Sequence, residues 1–267
     1  MTISFVENLA IAGDQRLRGL RPPLSLEIGG AMRETRDAGA QPIEPPPAIS
    51  DNLRAAVNAG SLVSFVAGLS AQEISDVLYS TQLAQRAASA KFDRFAATED
   101  WYSFYSDVMN RLGWVGETFA FTDRGSNAGD FHMDKTALDI ITEIATGNQL
   151  AILVKTLDTL KNLGKNDAPL RIFELQSLAE MSGNFQIGAV QKADNGALSL
   201  ALGAFRFQSS DNRTGFLFWT WGAQTIHFWT SAGKMTLNSD QYAAHRDAVE
   251  DKLRKDAGDF IAELAVA

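Results

Sequence analysis

The chain has 267 residues, a hydrophobic share of 45%, a charged share of 21% and a formal net charge of −8. This is the composition of a packed globular protein and not of a disordered or fibrous one. The acidic balance argues against nucleic acid, which is held by clustered cations: Lys252, Arg254 and Lys255 are interleaved with Glu250, Asp251 and Asp256, as on a solvated helix face. With no cysteine, disulfides, thiolate catalysis and cysteine-ligated zinc are excluded.

The first residues, 1–12, are partly apolar, but Glu7 interrupts the run and no Lys or Arg precedes it. That is not the pattern of a secretory leader. The densest apolar stretch, Leu62 to Leu69, falls well short of the roughly 18–20 residues of a membrane-spanning helix, and a cytoplasmic location is expected. Six of the seven prolines lie between Pro22 and Pro47. Proline fixes φ and lacks an N–H, so regular structure is disfavoured there. Residues 1–49 are read as an extended Pro-rich arm, and 50–267 as one α+β domain.

The helical part covers about residues 50–165. Asp51 to Leu69 is read as helical. Ser70-Ala71-Gln72-Glu73 fits a capping box opening a helix that runs to about Ala90. Thr98 starts another, with Trp101, Phe104, Tyr105, Val108 and Leu112 on one stripe and Gly113 at its end. Trp114 to Thr122 alternates as a strand, with Val115, Phe119 and Phe121 on one side. Asp134 is placed to cap a long helical stretch that Gly147-Asn148 divides.

A β-meander follows over about residues 184–237. Phe185, Ile187 and Ala189 alternate with polar residues, Asn195-Gly196 marks a hairpin turn, and Leu198, Leu200 and Leu202 lie on the return strand. The apolar phase then moves to Phe205 and Phe207, which predicts a bulge or bend near Gly203. Phe216 to Trp221 and Thr225 to Thr230 are read as strands, with a short one around Met235. A helix capped by Ser239 closes the chain over 239–265. The expected fold is therefore α+β: an antiparallel meander of about 4–5 strands with amphipathic helices on both faces, since strands apolar on both sides need two covers. Helices on both faces of an antiparallel sheet in a chain of this length resemble the layout of the Cyt-type cytolysins. That resemblance implies a membrane-active protein whose helices move aside while the sheet enters the bilayer.

Two clusters carry chemistry. Trp219, Trp221, His227 and Trp229 would form an aromatic surface suited to a ring, an apolar ligand, a lipid headgroup layer or a second subunit. Asp130, His132 and Asp134 flank an imidazole with two carboxylates at alternate positions, a donor set for a divalent metal. The plainer reading makes Asp134 a helix cap and His132 a satisfied surface group. Asp123 and Asp134 have the end-to-end spacing of a calcium loop, but Gly125 and Ala128 occupy its ligand and glycine positions, and that reading fails. Glu117, in phase with Val115 and Phe119, is a candidate acid if its side is buried. HExxH, Walker, GxGxxG and GxSxG motifs are all absent from the sequence, and no cofactor is expected. The favoured function is a non-enzymatic interaction protein that self-assembles into a homo-oligomer through the arm and the aromatic sheet surface. The alternatives are a membrane-active toxin or effector, and an enzyme with a dispersed, metal-dependent site.

Overall fold

The structure is a computed structural model, and it describes residues 3–12, 24–26, 54–124, 130–163, 168–179, 181–210, 216–218, 220–222 and 226–263. The six prolines of the arm lie outside these residues. Helix α1 (Ile3–Asn8) and strand β1 (Leu24–Leu26) belong to the N-terminal segment. Strands β2 (Ala55–Asn58) and β3 (Ser61–Phe65), helices α2 (Ala71–Lys91) and α3 (Thr98–Arg111), and short strands β4 (Trp114–Gly116), β5 (Thr122–Asp123) and β6 (Asp130–His132) follow. Then come α4 (Met133–Thr142), α5 (Gly147–Asn162), α6 (Ala168–Ser177) and β7 (Leu178–Ala179). Three long strands are β8 (Ser182–Lys192), β9 (Leu198–Ser209) and β11 (Ile226–Leu237). A 3-10 turn (Phe216–Phe218) and β10 (Thr220–Gly222) lie before β11, and α7 (Ser239–Ala243) and α8 (Arg246–Glu263) after it.

The fold is α+β. Among the described residues, nine strands form one sheet in the order β1-β2-β3-β8-β9-β11-β4, with β5 beside β11 and β7 beside β8. The sheet is mixed, since β3 runs parallel to β8 while the other pairs are antiparallel. One face, here the near face, packs on a core that includes Ile74, Val77 and Leu78 of α2, Trp101 and Tyr105 of α3, and Val249 of α8. The far face packs on Ile140 and Ile141 of α4, Leu153, Leu157 and Leu160 of α5, and Phe173 of α6. Val6 and Leu9, within and just after α1, are buried in the near core, and β1 pairs with β2 of the same chain. The described parts of the N-terminal segment thus dock in cis.

Several local readings are corrected. Residues 55–65 form a hairpin and not a helix. Ala59 takes a left-handed φ of 51° at its turn, and a Cβ on Gly60 would collide with the Arg94 guanidinium. Asn58 Nδ2 fixes the end of β2 by donating to Leu78 O (2.8 Å) and Thr81 Oγ1 (2.8 Å) of α2. The strand at Trp114 ends at Gly116, Val115 faces solvent at 62% exposure, and Glu117 is exposed. Phe216–Phe218 is a 3-10 turn, because a short apolar run takes its form from what it packs on. Its Leu217 enters the far core. Residues 226–237 make one strand where two were expected. Asn238, not Ser239, caps α7 by accepting from Gln241 N–H (3.1 Å), and the C-terminal helix is two helices. His132 holds the N-cap position of α4, with Asp134 in its first turn. The capping box at Ser70 and the hairpin at Asn195-Gly196 form as expected, with Gly196 at φ +84°.

The change of phase at Gly203 has a different cause from a bulge. The ladders β8–β9 and β9–β11 run without interruption through it. Leu198, Leu200 and Leu202 point to the near core, and Phe205 and Phe207 to the far core. The bulky apolar side changes faces in mid-strand, across rows of small residues: Gly188 and Gly233 opposite Leu202, and Ala232 opposite Gly203. On the far side Phe185, Phe205 and Phe228 stack in sequence, with centroids 5.0 and 6.0 Å apart. A Cβ on Gly203 would lie 2.6 Å from Phe205 Cζ and 2.9 Å from Ile141 Cγ1. Gly203→Ala should therefore lower stability by about 1–3 kcal/mol through overpacking, read by urea denaturation. Gly147→Ala, with nothing within 4 Å of its added carbon, should stay within about 0.5 kcal/mol of the parent.

Candidate functional site

The exchange of faces leaves the near face polar beyond Ala204. Residues directly opposite in an antiparallel pair share a face, so the register places Asn184, Arg206, Trp229 and Asp123 in one row across β8, β9, β11 and β5. The next row is Ser182, Gln208 and His227. His227, Gln208 and Asp123 are exposed, Arg206 and Trp229 are half-buried, and Asn184 is buried. Helix α3 reaches this last residue. Tyr102 of α3 donates its hydroxyl to Asn184 Oδ1 (2.9 Å), and Asn184 Nδ2 donates to Arg94 O (2.8 Å).

The surface has an aromatic centre and charges of both signs. The Arg206 guanidinium lies over the Trp229 ring at 4.8 Å, a cation–π contact that holds a flat cation on an indole. His227 stacks beside Trp229, with centroids 6.1 Å apart and planes 24° apart. Asp123 stands on the other side of Trp229. Arg124 donates from Nε to Thr230 Oγ1 (3.0 Å) and from its backbone N–H to Phe228 O (2.9 Å), which fixes β5 against β11. Phe119 and Phe121 wall the edge by packing on Tyr102, with centroids 5.3 and 4.9 Å away. Burial pushes the Tyr102 phenol up to about 12 and raises Tyr105 as well, so both rings are neutral packing and hydrogen-bonding groups. Planar π surfaces beside paired charges suit recognition.

The sequence-derived sites fare differently. His227 and Trp229 lie together on β11, whereas Trp221 is on β10, which pairs with β6 in a two-stranded sheet of its own. Trp219 lies outside the described residues. That small ribbon sets Trp221 opposite Phe131, Thr220 opposite His132 and Gly222 opposite Asp130, so it joins backbone from the two clusters picked out in the sequence. Asp134 follows in the first turn of α4. Among the described residues, no group of three or more His, Asp or Glu side chains is placed to hold a metal ion.

Arg206, Gln208, Asn184 and Asp123 escaped the sequence reading. Arg206 and Gln208 lie between and after the two phenylalanines in the sequence, but what stands beside them depends on the length of the β8–β9 loop. As a two-residue turn Asn195-Gly196 would pair residue 184 with 207; the loop is instead three residues, 194–196, closed by Ala193 and Ala197, and that sets 184 opposite 206. The pairing of β5 with β11 had no local signal.

No protein-family model matches the sequence, and no curated protein matches it. Solved structures similar to this chain include the following three. A delta-endotoxin is 11% identical over 78% of this chain and 91% of that chain, with a TM-score of 0.44. The Evf virulence factor is 10% identical over 78% of this chain and 81% of that chain, with a TM-score of 0.35. The activated Cyt2Ba monomer of Bacillus thuringiensis subsp. israelensis is 10% identical over 67% of this chain and 96% of that chain, with a TM-score of 0.41.

The link between α3 and the polar rows is testable. Tyr102→Phe removes the donor to a buried Asn184 oxygen and should cost about 1–2 kcal/mol, measured as a lower urea midpoint at unchanged slope. An unchanged midpoint would show that the bond does not hold α3 to the sheet.

Proposed function

We propose that the protein is a non-enzymatic interaction protein that assembles with copies of itself through the polar rows of the near face. The observation that carries this reading is the order along one row: cation Arg206, indole Trp229, anion Asp123, the first two half-buried and the third exposed. A two-fold contact presents the same patch from both subunits in opposite directions. Such a contact sets Arg206 of one copy against Asp123 of the other and stacks the two tryptophans at the centre, where aromatic residues are enriched in interfaces. The docking of α1 and β1 in cis gives the arm a supporting part within each subunit.

The test is the absolute mass of the full chain by light scattering, across concentration, with charge variants. Arg206→Asp and Asp123→Arg each bring like charges together and should weaken assembly by about tenfold or more, equivalent to about 1.4 kcal/mol. The double variant restores opposite charges and should recover most of the parent mass. A monomeric parent at every concentration, or a double variant no better than either single one, would overturn the reading.

A second reading, membrane activity, has one observation in its favour. Strands β8, β9 and β11 are 11, 12 and 12 residues long, enough for a bilayer crossing that takes about 9–11 residues per tilted strand. No helix among the described residues is long and apolar enough to cross a membrane, so this reading rests on the strands. It calls for release of a trapped dye from lipid vesicles at about micromolar protein, and intact vesicles under those conditions would close it.

A further inference from the structure

Helices α7 and α8 meet the body of the protein at a buried polar corner far in sequence from the sheet surface. Arg246, the first residue of α8, donates from Nε to Asp76 Oδ1 (2.8 Å) and from Nη2 to Asp76 Oδ2 (2.7 Å). Asp76 is buried on α2 and also accepts from Gln72 Nε2 (2.9 Å). Two-pronged guanidinium–carboxylate contacts of this kind are directional as well as strong. The residue before it, His245, forms the turn between the two helices: its N–H donates to Tyr242 O (2.8 Å) and its carbonyl accepts from Val249 N–H (2.9 Å). Its imidazole is 1% exposed, and neither ring nitrogen has a hydrogen-bond partner among the described residues. The hydroxyl of the neighbouring Tyr242 is buried and unpartnered in the same way.

The charged and titratable groups that interact at this corner are Asp76 and Tyr79 of α2, Tyr242 of α7, and Arg246, Glu250 and Arg254 of α8; the same elements also carry Asp240, Asp247, Asp251 and Lys252, and α1 carries Glu7. Asp76 is already engaged by Arg246, and Lys252 Nζ reaches α1 by donating to Glu7 O (2.7 Å). Burial alone holds the His245 imidazole below its ordinary pKa. A buried imidazole without an acceptor has nothing to receive a second N–H, so its protonation sets a charge in an apolar corner.

We propose that the α7–α8 pair is an acid-released latch, closed while His245 is neutral and freed from α2 when its ring takes a proton. The released state leaves Val249 and Leu253 out of the near core, where they pack when the latch is shut. The open state binds the proton more readily than the closed one, so closure is fully favoured above the ordinary histidine value of about 6.5. It is lost as pH falls from there toward the lowered value, by up to about tenfold per pH unit. Carboxylates in general titrate near pH 4, which leaves the window between about 5 and 6.5 to histidine.

The chain has three histidines, so the assignment can be made unambiguous. Hydrogen exchange by mass spectrometry on the full chain, corrected for the intrinsic pH effect, would compare about pH 7.5 with about pH 5.2. In the parent and in His132→Gln/His227→Gln, which keeps only His245, protection over residues 239–253 should fall by about tenfold or more while β8 and β9 keep theirs. In His245→Gln it should not change. The latch is overturned if the parent keeps its protection at the lower pH, if the double variant loses the transition, or if His245→Gln still shows it. Should His245→Gln not fold at the higher pH, the parent and the double variant decide the matter between them.

Discussion

The arrangement depends on where the bulk sits along β9. Leu198, Leu200 and Leu202 fill the near side of its first half, and Phe205 and Phe207 the far side of its second. Alternation with period two cannot do this while one face stays apolar throughout. The chain does it by setting small residues at the crossing, Gly203 and Ala204 on β9 with Gly188, Ala232 and Gly233 beside them. Leucines from one side and phenylalanine rings from the other close over the positions where no side chain stands. Two cores share one sheet, one on each face.

The helix layers follow from that offset. Helices α2, α3 and α8 gather over the near face, and α4, α5 and α6 over the far face. Buried polar contacts hold the layers in register. Trp114 Nε1 donates to Ser80 Oγ (3.0 Å), and Gln149 Nε2 to Ala189 O and Ser199 O (both 2.9 Å). Ser61 Oγ donates to Gln186 Oε1 (2.5 Å), tying the first hairpin to β8 across 125 residues of sequence. Beyond Asn184 the near face needs no cover, because its side chains are polar or stacked. The candidate surface is thus the remainder of the packing scheme, and the latch beside His245 covers the leucine core of the same face.

Much of this was legible in the sequence, and the failures have physical causes. Capping residues and the Asn-Gly turn act through their immediate neighbours, and they gave Ser70, the α5 boundary and the β8–β9 hairpin directly. The segment Ala55 to Phe65 was misread because its small residues tolerate a helix. What makes it a hairpin is the pairing of β2 with β3 and of β3 with β8, far along the chain. The phase change at Gly203 was seen, yet a bulge was inferred, since one sequence cannot show that both faces are buried and exchange roles. His227 and Trp229 were found as aromatics, but Arg206 and Asp123, which give the surface its charge, were not. An isolated Arg or Asp on a strand carries no local signal until cross-strand register is known.

Self-assembly of the kind proposed would cover the polar rows of the near face. Histidine-selective acylation with mass-spectrometric readout tests it in the unmodified chain, because the three histidines differ in place: His227 is exposed on those rows, His132 is half-buried outside them, and His245 is buried. The account predicts that labelling of His227 falls as protein concentration rises through the assembly range, while labelling of His132 stays constant. Equal labelling of His227 at low and high concentration would contradict it.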